Sequence, residues 1–165
     1  MSVKHSAIIV LILVLCLPPL AASARDDYSY QLPYRDEQQK KSIADLLSKA
    51  EAGDMKAQEI MGERFLKGID APQHFGWARK WYLRAAQQGS AQAMWDVANL
   101  CVDGKGGPKD LVQAYFWYTL AASKGIREAV NLRNRLRSKL TREEVKRVQT
   151  RTAQWKPHPE NIPKP

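Results

Sequence analysis

The sequence is short of the residues that covalent stapling and metal chemistry draw on. Among 165 residues it has two cysteines and three histidines. Cys16 lies in an apolar opening segment, so Cys101 stands alone in the rest of the chain. No internal disulfide can form there, and the fold must rest on side-chain packing. His74 sits in a turn and His158 in a proline-rich tail; neither belongs to a metal-ligand pattern, and no metal or other cofactor is expected. Glu143 and Glu144 are adjacent, about 100° apart on a helix, and cannot work as an acid/base pair. Gly104-Lys105-Gly106-Gly107 lacks the Gly-Lys-Ser/Thr ending and the preceding strand of a phosphate loop. No catalytic constellation remains, and the chain does not read as an enzyme.

Long apolar runs are also missing. The longest, Ala7–Leu17, covers 11 residues, against roughly 20 for a membrane-spanning helix. Lys4 precedes it, Pro18 and Pro19 break it, and Ala21-Ala22-Ser23-Ala24 follows with an A-x-A pattern. This order of basic, apolar and small segments is that of an export signal, expected as residues 1–24 with cleavage after Ala24 and a periplasmic or secreted product. An uncleaved anchor is one alternative. A lipoprotein through Cys16 is another, against which Leu15 stands where a small residue normally precedes a lipidated cysteine.

Negative charge is scarce in one region only. Residues 25–126 hold 14 Lys/Arg and 13 Asp/Glu, whereas residues 127–165 hold 11 and 4. For an exported protein this basic end points to an anionic envelope component or an acidic protein face rather than to nucleic acid, unless it is a solvated helix without a partner.

What the sequence does have is a period. Gly53, Gly89 and Gly125 are spaced 36 residues apart, and laying residues 53–88 over 89–124 without a gap gives nine identities, including Gly68/Gly104, Pro72/Pro108, Trp81/Trp117 and Tyr82/Tyr118. A period of this length with helical patterning marks a helix-hairpin solenoid. In the first unit Ala57, Ile60, Met61, Phe65 and Leu66 form one apolar stripe, Gly68 and Pro72 make the turn, and Ala78, Trp81, Tyr82, Ala85 and Ala86 form the second stripe. The second unit repeats this with Ala93, Val97, Ala98 and Cys101, then Ala114, Trp117, Tyr118, Ala121 and Ala122. Cys101 aligns with Phe65, so a buried, inert thiol is expected.

The ends read as caps. Ser42–Ala52 is a lone helix with Leu46, Leu47 and Ala50 inward, and Ile126–Leu140 opens a third unit with Leu132, Leu136 and Leu140 inward. Thr141-Arg142-Glu143-Glu144 is a capping box that starts a last helix to about Ala153. The expected organisation is an extended or disordered segment 25–41, a repeat domain 42–153 and a Pro-rich disordered tail 154–165. The fold class is all-α: an α/α superhelix, or solenoid, of two to three hairpins with capping helices.

The order Ala57, Met61-Gly62, Phe65, Gly68, Ala78, Trp81-Tyr82, Ala85-Ala86, Gly89 resembles the Sel1-like repeat. The second copy is similar, with Ala98 for Gly62 and Cys101 for Phe65. The resemblance implies a solenoid related to tetratricopeptide repeats and a role as adaptor or scaffold. One cysteine-rich branch of that family is linked to β-lactam binding or hydrolysis. Its cysteine pair per repeat is absent here, which argues against a hydrolase.

In such a solenoid the first helix of each unit lines the concave face. Off-stripe residues there are Lys56, Glu59, Glu63 and Lys67, then Gln92, Trp95, Asn99 and Asp103, then Glu128, Asn131, Arg135 and Lys139. The candidate partner contacts are Glu59, Glu63, Trp95, Asn99, Asp103, Asn131 and Arg135, with Trp95 as the aromatic anchor. Alternatively Trp95 packs on a neighbouring helix, or Tyr28, Tyr30 and Tyr34 cover it. The function expected is an exported, non-enzymatic module that binds a protein or peptide partner in the groove. The alternative is contact of the basic end with anionic lipid, glycan or cell wall.

Overall fold

The 36-residue spacing of the glycines reappears as the spacing of the helices. The computed structural model describes residues 37–159, with side chains from residue 41 onward, all within a unit spanning Pro33–Pro165. The export segment 1–24 and Tyr28, Tyr30 and Tyr34 lie outside the described residues. Among the described residues there are seven α-helices and no strand: α1 (Glu37–Glu51), α2 (Met55–Lys67), α3 (Phe75–Gln88), α4 (Ala91–Asp103), α5 (Leu111–Ser123), α6 (Arg127–Arg137) and α7 (Arg142–Gln154). The starts of α2, α4 and α6 are 36 residues apart, as are those of α3 and α5. Helices α2 and α3 pair as one hairpin and α4 and α5 as the next; α3 packs on α4, α5 on α6, α1 on α2 and α7 on α5.

The helix ends explain why the period is kept. The first helix of each unit starts at a short polar side chain: Asp54 accepts from the Ala57 N–H at 2.7 Å, and Ser90 from the Ala93 N–H at 3.0 Å. The second helices start at His74, whose Nδ1 accepts from the Trp77 N–H at 3.1 Å, and at Asp110, which accepts from the Gln113 N–H at 2.9 Å. His74 is therefore a helix cap. Gly68 and Gly104 close α2 and α4 with φ of 71° and 69°, in the left-handed region where a side chain is strained.

Packing needs glycine for a different reason at Gly62. A Cβ there would lie 2.7 Å from the Tyr82 ring. The bare backbone lets that ring lie flat on α2, and this close approach seats the hairpin. The Gly104–Gly107 run is likewise a packing turn: a Cβ on Gly106 would meet the Phe75 carbonyl oxygen at 2.3 Å.

Helix α5 is buried almost all round, through Ala114, Tyr115, Phe116, Trp117, Tyr118, Leu120 and Ala121. It is the centre of the domain, because α4, α6 and α7 all pack against it. Around Cys101 the expected core position is confirmed: the thiol is 1% exposed, and its Sγ accepts from Arg79 Nη2 at 3.5 Å.

Three features differ from the expectation. Helix α1 begins at Glu37, five residues before Ser42, so residues 37–41 are helical rather than extended. Glu37-Gln38-Gln39-Lys40-Lys41 forms helix readily but has no apolar stripe to reveal it. Ile43 is buried with Ala50, whereas Leu46 and Leu47 are half-buried. The start of the tail is docked: the His158 N–H donates to the Gln87 carbonyl at 2.8 Å, and Pro157 lies against Gly89.

Candidate partner-binding face

Two of the expected contact residues converge with a residue that the period had not singled out. Asp96 of α4 is half-buried, and its carboxyl is pushed up to about 6 by desolvation. The charges of Glu59 and Glu63 add to that rise; a hydrogen bond from Gln92 Nε2 at 3.2 Å and the charge of Lys67 oppose it. Beneath these groups the Tyr82 hydroxyl is held above its ordinary value by burial, then by Asp96, Glu63 and Glu59. Helices α2 and α4 thus bring three carboxylates together over one tyrosine. Asp96 escaped the reading because it lies in the register of Ile60, an apolar slot. A carboxylate in an apolar slot of a repeat is itself the signal that could have found it.

Glu59 is engaged on both sides. It takes a hydrogen bond from the Ser90 hydroxyl, the cap of α4, and an ion pair from Lys56 Nζ at 2.6 Å. That hydrogen-bonded pair holds the ammonium of Lys56 above its ordinary value. Glu63 is exposed and pairs with Lys67 at 2.5 Å. Glu59 therefore clamps one unit to the next, while Glu63 is the freer contact.

In the second unit the registers carry different chemistry. Asn99 stands where Glu63 stands one unit earlier, and its Oδ1 accepts from the Tyr118 hydroxyl at 2.5 Å. Burial, with a smaller contribution from the charge of Asp103, pushes that phenol up to about 12. Asp103 is exposed and pairs with Lys105 Nζ at 2.9 Å. Trp95 stands in the register of Glu59, and Ile126 in that of Ser90. The acid–hydroxyl clamp of the first unit is thus replaced by two apolar residues in the second. Trp95 is half-buried, and its indole Nε1 is buried with no hydrogen-bond partner among the described residues. Asn131 and Arg135 are exposed on α6, and no hydrogen bond or ion pair joins them to the residues of α2 or α4.

No cluster of three or more His, Cys, Asp or Glu side chains able to hold an ion occurs among the described residues. Burial pushes the Cys101 thiol up, opposed by the charge of Arg79, so it is a poor nucleophile. No helix among the described residues is long and apolar enough to cross a membrane.

This face thus gathers a few polar groups and one tryptophan on a scaffold whose period is exact in α2–α5. The Sel1 repeat family model matches residues 56–90 and again 91–126. The chain carries two Sel1 repeats. Each runs from the start of a unit's first helix to the residue that caps the first helix of the next. Solved structures agree with the Sel1 assignment. A protective antigen present in uropathogenic Escherichia coli strains, which displays an SLR fold, is 25% identical over 73% of this chain and 26% of its own, with a TM-score of 0.66. A Sel1 repeat protein from Oxalobacter formigenes is 34% identical over 55% of this chain and 26% of its own, with a TM-score of 0.54. This chain thus spans about a quarter of the length of either. No curated protein matches it. Sel1 repeats generally serve as protein-interaction scaffolds and are typically not enzymes.

Proposed function

We propose that this Sel1 pair is an exported interaction module that holds a segment of a protein partner along α2 and α4. The observation that carries the reading is Trp95. A tryptophan in the register of a clamping glutamate gives up an inter-unit hydrogen bond and leaves a large aromatic ring half-exposed. The half-exposed ring supplies apolar area for a bound segment. Glu63, Asn99 and Asp103 flank it with hydrogen-bonding groups, as a groove of this kind requires. Export rests on the Lys4, Ala7–Leu17 and Ala21–Ala24 pattern.

The test is site-specific photo-crosslinking in cells expressing the chain with its own leader. A crosslinker at Glu63 or Asp103 should give a discrete protein adduct in the envelope fraction, and one at Lys80 on α3 should not. Trp95→Ala should abolish the adduct, and Trp95→Phe should weaken it by leaving a smaller ring. Adducts of equal strength from Glu63 and Lys80, or adducts indifferent to Trp95→Ala, would rule the groove out. Recovery of the protein with Met1 intact and from the cytosol would rule out export.

A further inference from the structure

The last helix carries a surface that the groove does not use. Helices α6 and α7 hold eight Lys or Arg residues, and among the described residues none of them forms an ion pair. Their three carboxylates all lie in first turns: Glu128 in α6, and Glu143 and Glu144 in α7. Glu144 is occupied there, accepting from the Thr141 N–H and hydroxyl, each at 2.8 Å. Beyond their first turns both helices are basic without relief.

On α7 the charges share one face. Glu143, Lys146, Arg147, Thr150, Arg151 and Gln154, at helical spacing, line a shallow depression of about 360 Å³. Val148, on the other side, is 1% exposed and seats the helix on α5. The Arg151 guanidinium lies 4.0 Å over the Phe116 ring, which fixes it in place. The side chains of Lys146 and Arg147 make no hydrogen bond or ion pair among the described residues, and both are exposed.

We infer that this face of α7 is a docking surface for an anionic phospholipid bilayer. An acidic protein face would call for bases held in fixed positions by hydrogen-bonded neighbours. A bilayer offers many mobile phosphates instead, and long free cations of one sign suit it. As the last described helix, packed chiefly on α5, α7 can meet a plane without obstruction from α2 and α4. The groove would stay open to a partner while the end of the solenoid rests on the membrane.

The experiment is vesicle co-sedimentation of the full chain at ~0.15 M salt. The probes are vesicles of phosphatidylcholine alone and of an equal mixture with phosphatidylglycerol. Wild type is compared with Lys146→Gln/Arg147→Gln and with Lys49→Gln/Lys109→Gln, which removes the same charge elsewhere. The apolar run Ala7–Leu17 is common to all three, so differences between them report on charge placement. Wild type should favour the mixed vesicles, and the α7 variant should bind them roughly 30-fold more weakly, since each cation near such a surface contributes about fivefold. The Lys49/Lys109 variant should bind as wild type does. About 1 M salt should remove the preference. Equal binding to both vesicles, or an equal loss in the two variants, would overturn the inference. So would wild-type capture of polyglutamate without capture of mixed vesicles.

Discussion

At the scale of single residues, Asp96 is where the carboxylates of α2 and α4 bear on the stability of the domain. Its carboxyl is raised from 3.8 to about 6, so between those values the folded chain binds more protons than the unfolded one. Stability must then fall as pH rises through that window, and the full penalty is present above pH ~6. Replacing Asp96 by Asn removes the titration and keeps the shape. Asp96→Asn should melt with wild type near pH 4 and be more stable at pH 7.5 by roughly 2 kcal/mol. Thermal melts followed by circular dichroism at the two pH values decide it; an offset that does not change with pH would refute the account.

At the scale of helices, local chemistry decided what could be read. The hairpins were legible because their signals repeat: Asp54 and Ser90 at one kind of start, Gly68 and Gly104 at one kind of end, Trp-Tyr pairs at fixed offsets. The capping box of α7 is present as its sequence promised, with the Thr141 hydroxyl accepting from the Glu144 N–H at 3.2 Å. The joint between α1 and the first repeat was not legible. Gln58 is fully buried; its Nε2 donates to the Ala50 carbonyl at 3.0 Å, and its Oε1 accepts from Gln88 Nε2 at 2.8 Å. Gln88 also donates to the Gly53 carbonyl at 2.9 Å. These amides satisfy the carbonyls around the end of α1, yet a glutamine in a helical pattern reads as surface until its partners are known. In the second unit the registers hold Met94 and Lys124, so no repeat signal marks them either. Gln88→Ala should therefore destabilise the domain by about 1–3 kcal/mol through unmet polar groups. The effect should be local: faster amide exchange in α1, with α4 and α5 little changed at the same conditions.

At the scale of the whole domain, the two ends are not equivalent, and the difference follows from what each covers. A solenoid is held by nearest-neighbour contacts, so loss of an end is felt mainly by the unit beside it. Helix α1 packs chiefly on α2, and its joint is polar. Helix α7 packs on α5, the helix buried nearly all round, and with it covers Phe116, which is 1% exposed, through Arg151. Removing residues 142–165 would bare one flank of α5 while leaving its aromatic residues in the chain. Among the described residues, removing residues 1–53 would bare the outer side of α2 and take the Glu51 and Gly53 carbonyls from Arg84 and Gln88 of α3. The two truncations should therefore behave in opposite ways in one assay. The first should lose a sharp thermal transition and bind a dye for exposed apolar surface, because the central helix no longer has all its neighbours. The second should keep a single, lower transition, because the unit around α5 is intact. If both truncations melt sharply, α7 is an ornament on the solenoid rather than its cap, and α5 is not the helix on which the cooperativity of the domain depends.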